Sequence, residues 1–180
     1  MKKVLICLII TIHLFCSKTF AQCGIGFSTL DNGSKQFLAR NEEIFTNKRF
    51  DLGIQTAYIQ LEVQKHPTNS ELMLFRALVT TANKGSFPTI IPRTLEIRFA
   101  TGESLNLIAE SSDNPRYVEG VKVFTSTFHL GIDNFAKIAK NSISSIKVAD
   151  NRTGENLLNT SIYKDLLREQ AMCLANAVKN

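Results

Sequence analysis

Residues Thr94 to Glu110 read TLEIRFATGESLNLIAE, and the fold turns on how that stretch pairs with itself. Leu95, Ile97 and Phe99 alternate with Glu96 and Arg98, the period of a strand with one dry face. Thr101-Gly102-Glu103 breaks the pattern, and Leu105, Leu107 and Ala109 restore it. A two-residue turn at Thr101-Gly102 would set Ser104 opposite Phe99 and Asn106 opposite Ile97, driving polar side chains into the dry face. A loop with an odd number of residues pairs Phe99 with Leu105, Ile97 with Leu107 and Leu95 with Ala109. Because a one-residue slip turns every side chain over, the spacing predicts the odd loop. Arg98 then lies opposite Asn106 on a wet face shared with Glu96 and Ser104.

Working outward, Gly53 to Lys65 has the same grammar. Ala57, Ile59, Leu61 and Val63 share one side, and Tyr58, Gln60, Glu62 and Gln64 share the other. Glu71 to Thr81 is apolar on both parities, interrupted by Arg76, and predicts a central strand covered on both faces. Val118 to Leu130 predicts a long strand whose apolar phase changes between Val123 and Phe124, as at a bulge or a crossing between two packed surfaces. Asp133 is suited to cap a short helix through Lys140, and Ile143 to Ala149 predicts one more strand before an Asp150-Asn151-Arg152-Thr153-Gly154 turn.

The chain closes on an amphipathic helix from Ser161 to about Val178. Leu166, Leu167, Ala171, Leu174 and Val178 lie on its apolar arc, with Cys173 at the edge. Residues 22–48 are less regular, although Phe37, Phe45 and Phe50 suggest a segment packed on the body. The sum is an α+β domain, a mostly antiparallel sheet of about six strands with the C-terminal helix packed on it. A β-sandwich with a terminal helix is the alternative.

The first 21 residues form a targeting segment. Lys2 and Lys3 precede an apolar run from Val4 to Phe15, and Thr19-Phe20-Ala21 offers small residues before a cut. The Ala21-Gln22 junction resembles signal peptides of Bacteroidota, and the strand-rich body with a terminal helix is similar to uncharacterised secreted bacterial proteins. The expectation is a signal peptide at 1–21 and a single domain at 22–180, periplasmic or extracellular. Phe15 and Gln22, where a small residue would precede a lipidated cysteine, speak against a lipoprotein at Cys16 or Cys23.

Without that segment the chain loses three cations and no acid, so its formal charge falls from +5 to +2. No Lys/Arg run remains, which argues against nucleic acid as a partner, and no later run is apolar enough to cross a membrane. Cys23 and Cys173 are the cysteines left, and in an oxidising compartment they predict a disulfide.

Chemistry is sparse. His129 stands four residues before Asp133, so a base and its orienting acid are the catalytic candidates, the basis of an alternative reading as a small periplasmic hydrolase. No serine near them sits in a nucleophile-exposing motif. No metal-ligand spacing occurs, and nothing calls for a cofactor. The candidate binding residues are Glu96, Arg98, Ser104 and Asn106 on the hairpin, with Tyr58 and Tyr117 as exposed aromatic platforms. The expected function is a non-catalytic binding or structural module of the cell envelope, meeting a protein, peptide or glycan.

Overall fold

The computed structural model describes residues 24–69, 71–112, 114–159 and 165–179. The targeting segment, Cys23 and the expected start of the terminal helix lie outside these. In chain order the elements are β1 (Gly26–Thr29), β2 (Lys35–Leu38), β3 (Glu42–Arg49), β4 (Gly53–Lys65), β5 (Met73–Gly85), β6 (Thr94–Phe99) and β7 (Ser104–Ile108). There follow β8 (Ser111–Ser112), β9 (Arg116–Val118), β10 (Val121–His129), α1 (Gly131–Lys140), β11 (Ile143–Ala149), β12 (Asn156–Asn159) and α2 (Leu166–Lys179). Of the described residues 52% are strand and 16% helix, with the strands antiparallel in every pairing described. That agrees with a sheet-rich fold ending in a helix.

The larger sheet runs β1-β2-β4-β5-β10-β8, with β3 also paired to β4 and β9 to β10. The smaller sheet runs β12-β11-β6-β7. One core joins them: Ile59, Leu61, Ala77 and Val79 from the larger sheet, Leu95, Ile97 and Ile146 from the smaller, and Ile138, Leu167 and Leu174 from the helices. Burying each such side chain contributes about 1.5–3 kcal/mol, so this shared interior is what holds the sheets together.

The hairpin that decides the fold has the expected faces and a different register. Ile97 pairs with Leu105, Leu95 with Leu107, Glu96 with Asn106 and Arg98 with Ser104. The loop is odd, but it holds three residues, Ala100 to Gly102: Gly102 N–H donates to Phe99 O at 3.0 Å and Phe99 N–H to Glu103 O at 2.8 Å. Gly102 has φ +90°, the left-handed position that a three-residue hairpin loop requires. A loop two residues longer keeps the same faces, so side-chain alternation alone does not separate the two.

Other strands correct the sequence reading more sharply. β5 is central, between β4 and β10, but only one of its faces is dry. Leu74, Leu78 and Thr80 on the other face are half-buried, shaded by long polar neighbours; Leu78 lies between Gln60 and Thr127. β10 carries no bulge, and its register with β5 is unbroken from Lys122↔Asn83 to His129↔Arg76. The apparent phase change arises because Lys122 and Ser126 occupy core parity. Ser126 is buried there with its hydroxyl 2.9 Å from that of Ser112. Val118 does not start the long strand. It ends β9, which folds back on β10 through Glu119 and Gly120, both at positive φ.

Two further expectations change. α1 begins at Gly131 with Leu130 at the N-cap and no side-chain cap, leaving Asp133 in the first turn. There its charge still suits the helix dipole. Phe50 does not pack on the body; it is fully exposed at the β3–β4 turn. Phe37 and Phe45 do pack against the core. The terminal helix buries Leu167, Ala171, Leu174 and Val178, as its periodicity predicts. Buried Gln170 ties it to the sheet, its amide donating to Arg40 O at 2.9 Å.

Candidate functional site

A concavity forms where the chain crosses from the smaller sheet to the larger. Beyond β7, Ala109 N–H donates to Arg93 O at 2.9 Å and the next residue, Glu110, donates to Thr127 O at 2.8 Å. With one bond to each sheet in consecutive residues, the strands splay, and a cleft of about 590 Å³ opens between them. Its apolar lining includes Phe124, Ile91 and Ala109. Its polar lining includes Arg93, Arg152, Glu110, Asn114 and Asn151.

Asp150 organises one wall. Its buried carboxylate accepts from Arg93 Nε at 3.1 Å, from the Arg152 backbone N–H at 3.1 Å and from the Ile91 N–H at 3.3 Å. A charged acceptor with three donors is the arrangement a buried carboxylate needs. The result fixes the backbone of the β11–β12 turn while the Arg152 side chain remains exposed. On the opposite wall Ser112 shares its hydrogen bond with Ser126, not with a histidine ring.

The hairpin residues Glu96, Arg98, Ser104 and Asn106 do come together, on the outer face of the smaller sheet. Arg98 Nη2 donates to Glu96 Oε1 at 3.0 Å, so that pair is satisfied along its own strand. A second depression of about 340 Å³ lies beside them, lined by Glu96, Asn106 and Lys147. Ile108 lines both concavities and forms the ridge between them.

The remaining candidates stand elsewhere. Tyr58 is half-buried on the larger sheet, its hydroxyl 3.5 Å from Glu43 Oε2. Tyr117 is exposed on β9. His129 is exposed at the end of β10, opposite Arg76, and Asp133 is exposed in α1. Among the described residues no hydrogen bond joins His129 to Asp133, and no three His, Cys, Asp or Glu side chains cluster as metal ligands. No helix among them is long and apolar enough to cross a membrane.

Sequence reasoning missed Arg93, Glu110, Asn114 and Arg152 because they come from four separate connections. The signal that existed was Asp150, whose side chain accepts from the N–H two residues on, the usual sequence mark of an Asx-turn. No protein-family model, curated protein sequence or solved structure matches this chain.

Proposed function

We propose that the protein is an exported, non-catalytic binding module of the bacterial cell envelope, an α+β domain whose ligand seat is the cleft between its sheets. One observation carries this reading: the lining of the cleft sets apolar Phe124, Ile91 and Ala109 beside donors and acceptors from the connections that converge there. A volume of about 590 Å³ falls in the range of small-ligand sites, and the lining is more polar than apolar, which suits a ligand rich in hydrogen-bonding groups. The lining carries both signs of charge, which suits a ligand alternating apolar and hydrogen-bonding groups, a short peptide or a glycan. Ile108 continues the surface onto the hairpin face, giving room for more than one unit. The leader at residues 1–21 and a Cys23–Cys173 bridge belong to the same reading.

Isothermal titration of the exported protein with soluble peptidoglycan fragments and with short mixed peptides tests it. The expected result is binding of one class, weakened at least about tenfold by Arg152→Ala, as for loss of a charged hydrogen bond. His129→Ala should leave that binding unchanged. No binding in either class, or binding indifferent to Arg152→Ala and Asn114→Ala, removes the cleft from consideration. Loss on His129→Ala would favour the hydrolase.

A further inference from the structure

Single exposed apolar residues are ordinary on protein surfaces; several at one end of a sheet, set among cations, are not. Phe50 has 111% of its reference area exposed at the β3–β4 turn, and Ile54 beside it 40%. Tyr117 (71%) and Val118 (56%) are exposed on the β9–β10 hairpin. The registers bring the two turns together. Lys48 pairs with Ile54 and Ile54 with Lys84, while Lys122 pairs with both Asn83 and Tyr117. Both turns and the end of β5 therefore share one end of the larger sheet.

Charge gathers there too. Residues 47–54, 83–86 and 116–123 hold Lys48, Arg49, Lys84, Arg116 and Lys122 against two acids, Asp51 and Glu119. Asp51 is itself paired with Arg49 at 2.8 Å. That excess of three is larger than the +2 of the whole chain after residue 21, so the rest of the body is slightly acidic. The end is also stiff. Gly53 and Gly85 face each other at φ +100° and +117°, with backbones so close that a Cβ on either would strike a carbonyl oxygen.

We propose that this end of the sheet docks on an acidic lipid surface, independently of the cleft. Phe50 and Val118 enter the boundary between headgroups and acyl chains, Tyr117 lies among the headgroups, and exposed Lys48 and Lys84 face lipid phosphates. Projecting apolar tips suit a deformable surface, since a folded protein partner would need a groove already shaped to receive them. Cations near an anionic leaflet each add attraction, which falls away with salt.

The chain contains no Trp, so one introduced indole reports its own position alone. Phe50→Trp and, at the far end in exposed Ile132 of α1, Ile132→Trp are compared with vesicles of phosphatidylcholine, alone or mixed with phosphatidylglycerol. Brominated acyl chains serve as quenchers. Emission from Phe50→Trp should shift to the blue and be quenched by the acidic vesicles only, while Ile132→Trp stays unchanged. Adding Lys48→Glu and Lys84→Glu should raise the lipid needed by about tenfold or more. No shift at position 50, an equal shift with neutral vesicles, or an equal shift at position 132 overturns the proposal. So does a shift without vesicles that grows with protein concentration, which would identify a second copy of the chain as the occupant.

Discussion

Asp150 holds Arg93 at 3.1 Å, and the two residues belong to connections that meet at one end of the β6–β11 pair, one entering β6 and the other leaving β11. Asp150 is 3% exposed, while Arg93 reaches the cleft. The backbone repeats the link, since Arg93 N–H donates to Ala149 O at 3.0 Å. One buried carboxylate thus couples three things: the segment leading into the central hairpin, the β11–β12 turn, and the position of a guanidinium that lines the cleft. Replacing it tests whether the cleft wall is a structural unit.

Asp150→Ala leaves three donors without their acceptor and should cost about 3 kcal/mol, in the range for breaking a buried pair from one side. Asp150→Asn keeps the shape and an acceptor, so about half that loss is expected. Urea denaturation should show lower midpoints at unchanged slope. A change under about 0.5 kcal/mol for Asp150→Ala would mean that water replaces the carboxylate and the wall is not held by it.

Two glycines separate steric from torsional strain. Gly53 and Gly102 both have positive φ, but a Cβ at Gly53 would lie 2.0 Å from Lys84 O, whereas nothing lies within 4 Å of one at Gly102. Gly102→Ala should therefore cost about 1–2 kcal/mol, the torsional penalty alone. Gly53→Ala should cost about 3 kcal/mol or more, since backbone must move as well. Equal losses in matched thermal melts would show that the β4–β5 end yields easily, against the stiffness argued for it.

Glu119 is the one non-glycine residue at positive φ among the described residues. It precedes Gly120 in a two-residue turn that sets Val118 opposite Val121, a geometry that favours Asn-Gly. Glu119→Asn should stabilise the protein by about 0.5–1 kcal/mol, raising the melting temperature by roughly 2–3 °C. A lower melting temperature would indicate that the Glu119 carboxylate makes a compensating contact with the neighbouring cations.

How far the residues could be read follows from what each pattern constrains. Alternation in Leu95, Ile97 and Phe99 forces a face, and the face is as expected; it is silent between loops of three and five residues, and Gly102 decides that. β10 misled because Lys122 and Ser126 stand at core parity, where a hydroxyl paired to Ser112 substitutes for an apolar side chain. Phe50 misled because an aromatic in a turn has the composition of a core residue and no periodicity to betray it. The four hairpin candidates share one face, since a strand keeps its own neighbours together, but Arg98 stands opposite Ser104 and not Asn106. The cleft was not legible: Arg93, Glu110, Asn114 and Arg152 meet only through pairing between distant segments.

The segments next to Cys23 and Cys173 both reach Arg40, which is the basis for testing a bridge between the two cysteines. Gly24, adjacent in sequence to Cys23, lies against Arg40, whose side-chain Cβ would sit 3.7 Å from a Cβ built on the glycine. From the other end, Gln170 donates to Arg40 O, and Cys173 is one helical turn further along α2. Cys173 is half-buried on the margin of the helix's core-facing stripe. A bridge closing nearly the whole body into one loop is worth roughly 4–5 kcal/mol in the chain-entropy model. With residues 1–21 removed, the protein should therefore be two hydrogens lighter than its reduced form and resist alkylation until reduced. Reduction and Cys173→Ser should lower stability by similar amounts. If both thiols alkylate in the native protein, or if Cys173→Ser leaves the denaturation midpoint in place, the ends are held by Gln170 and the helix stripe alone.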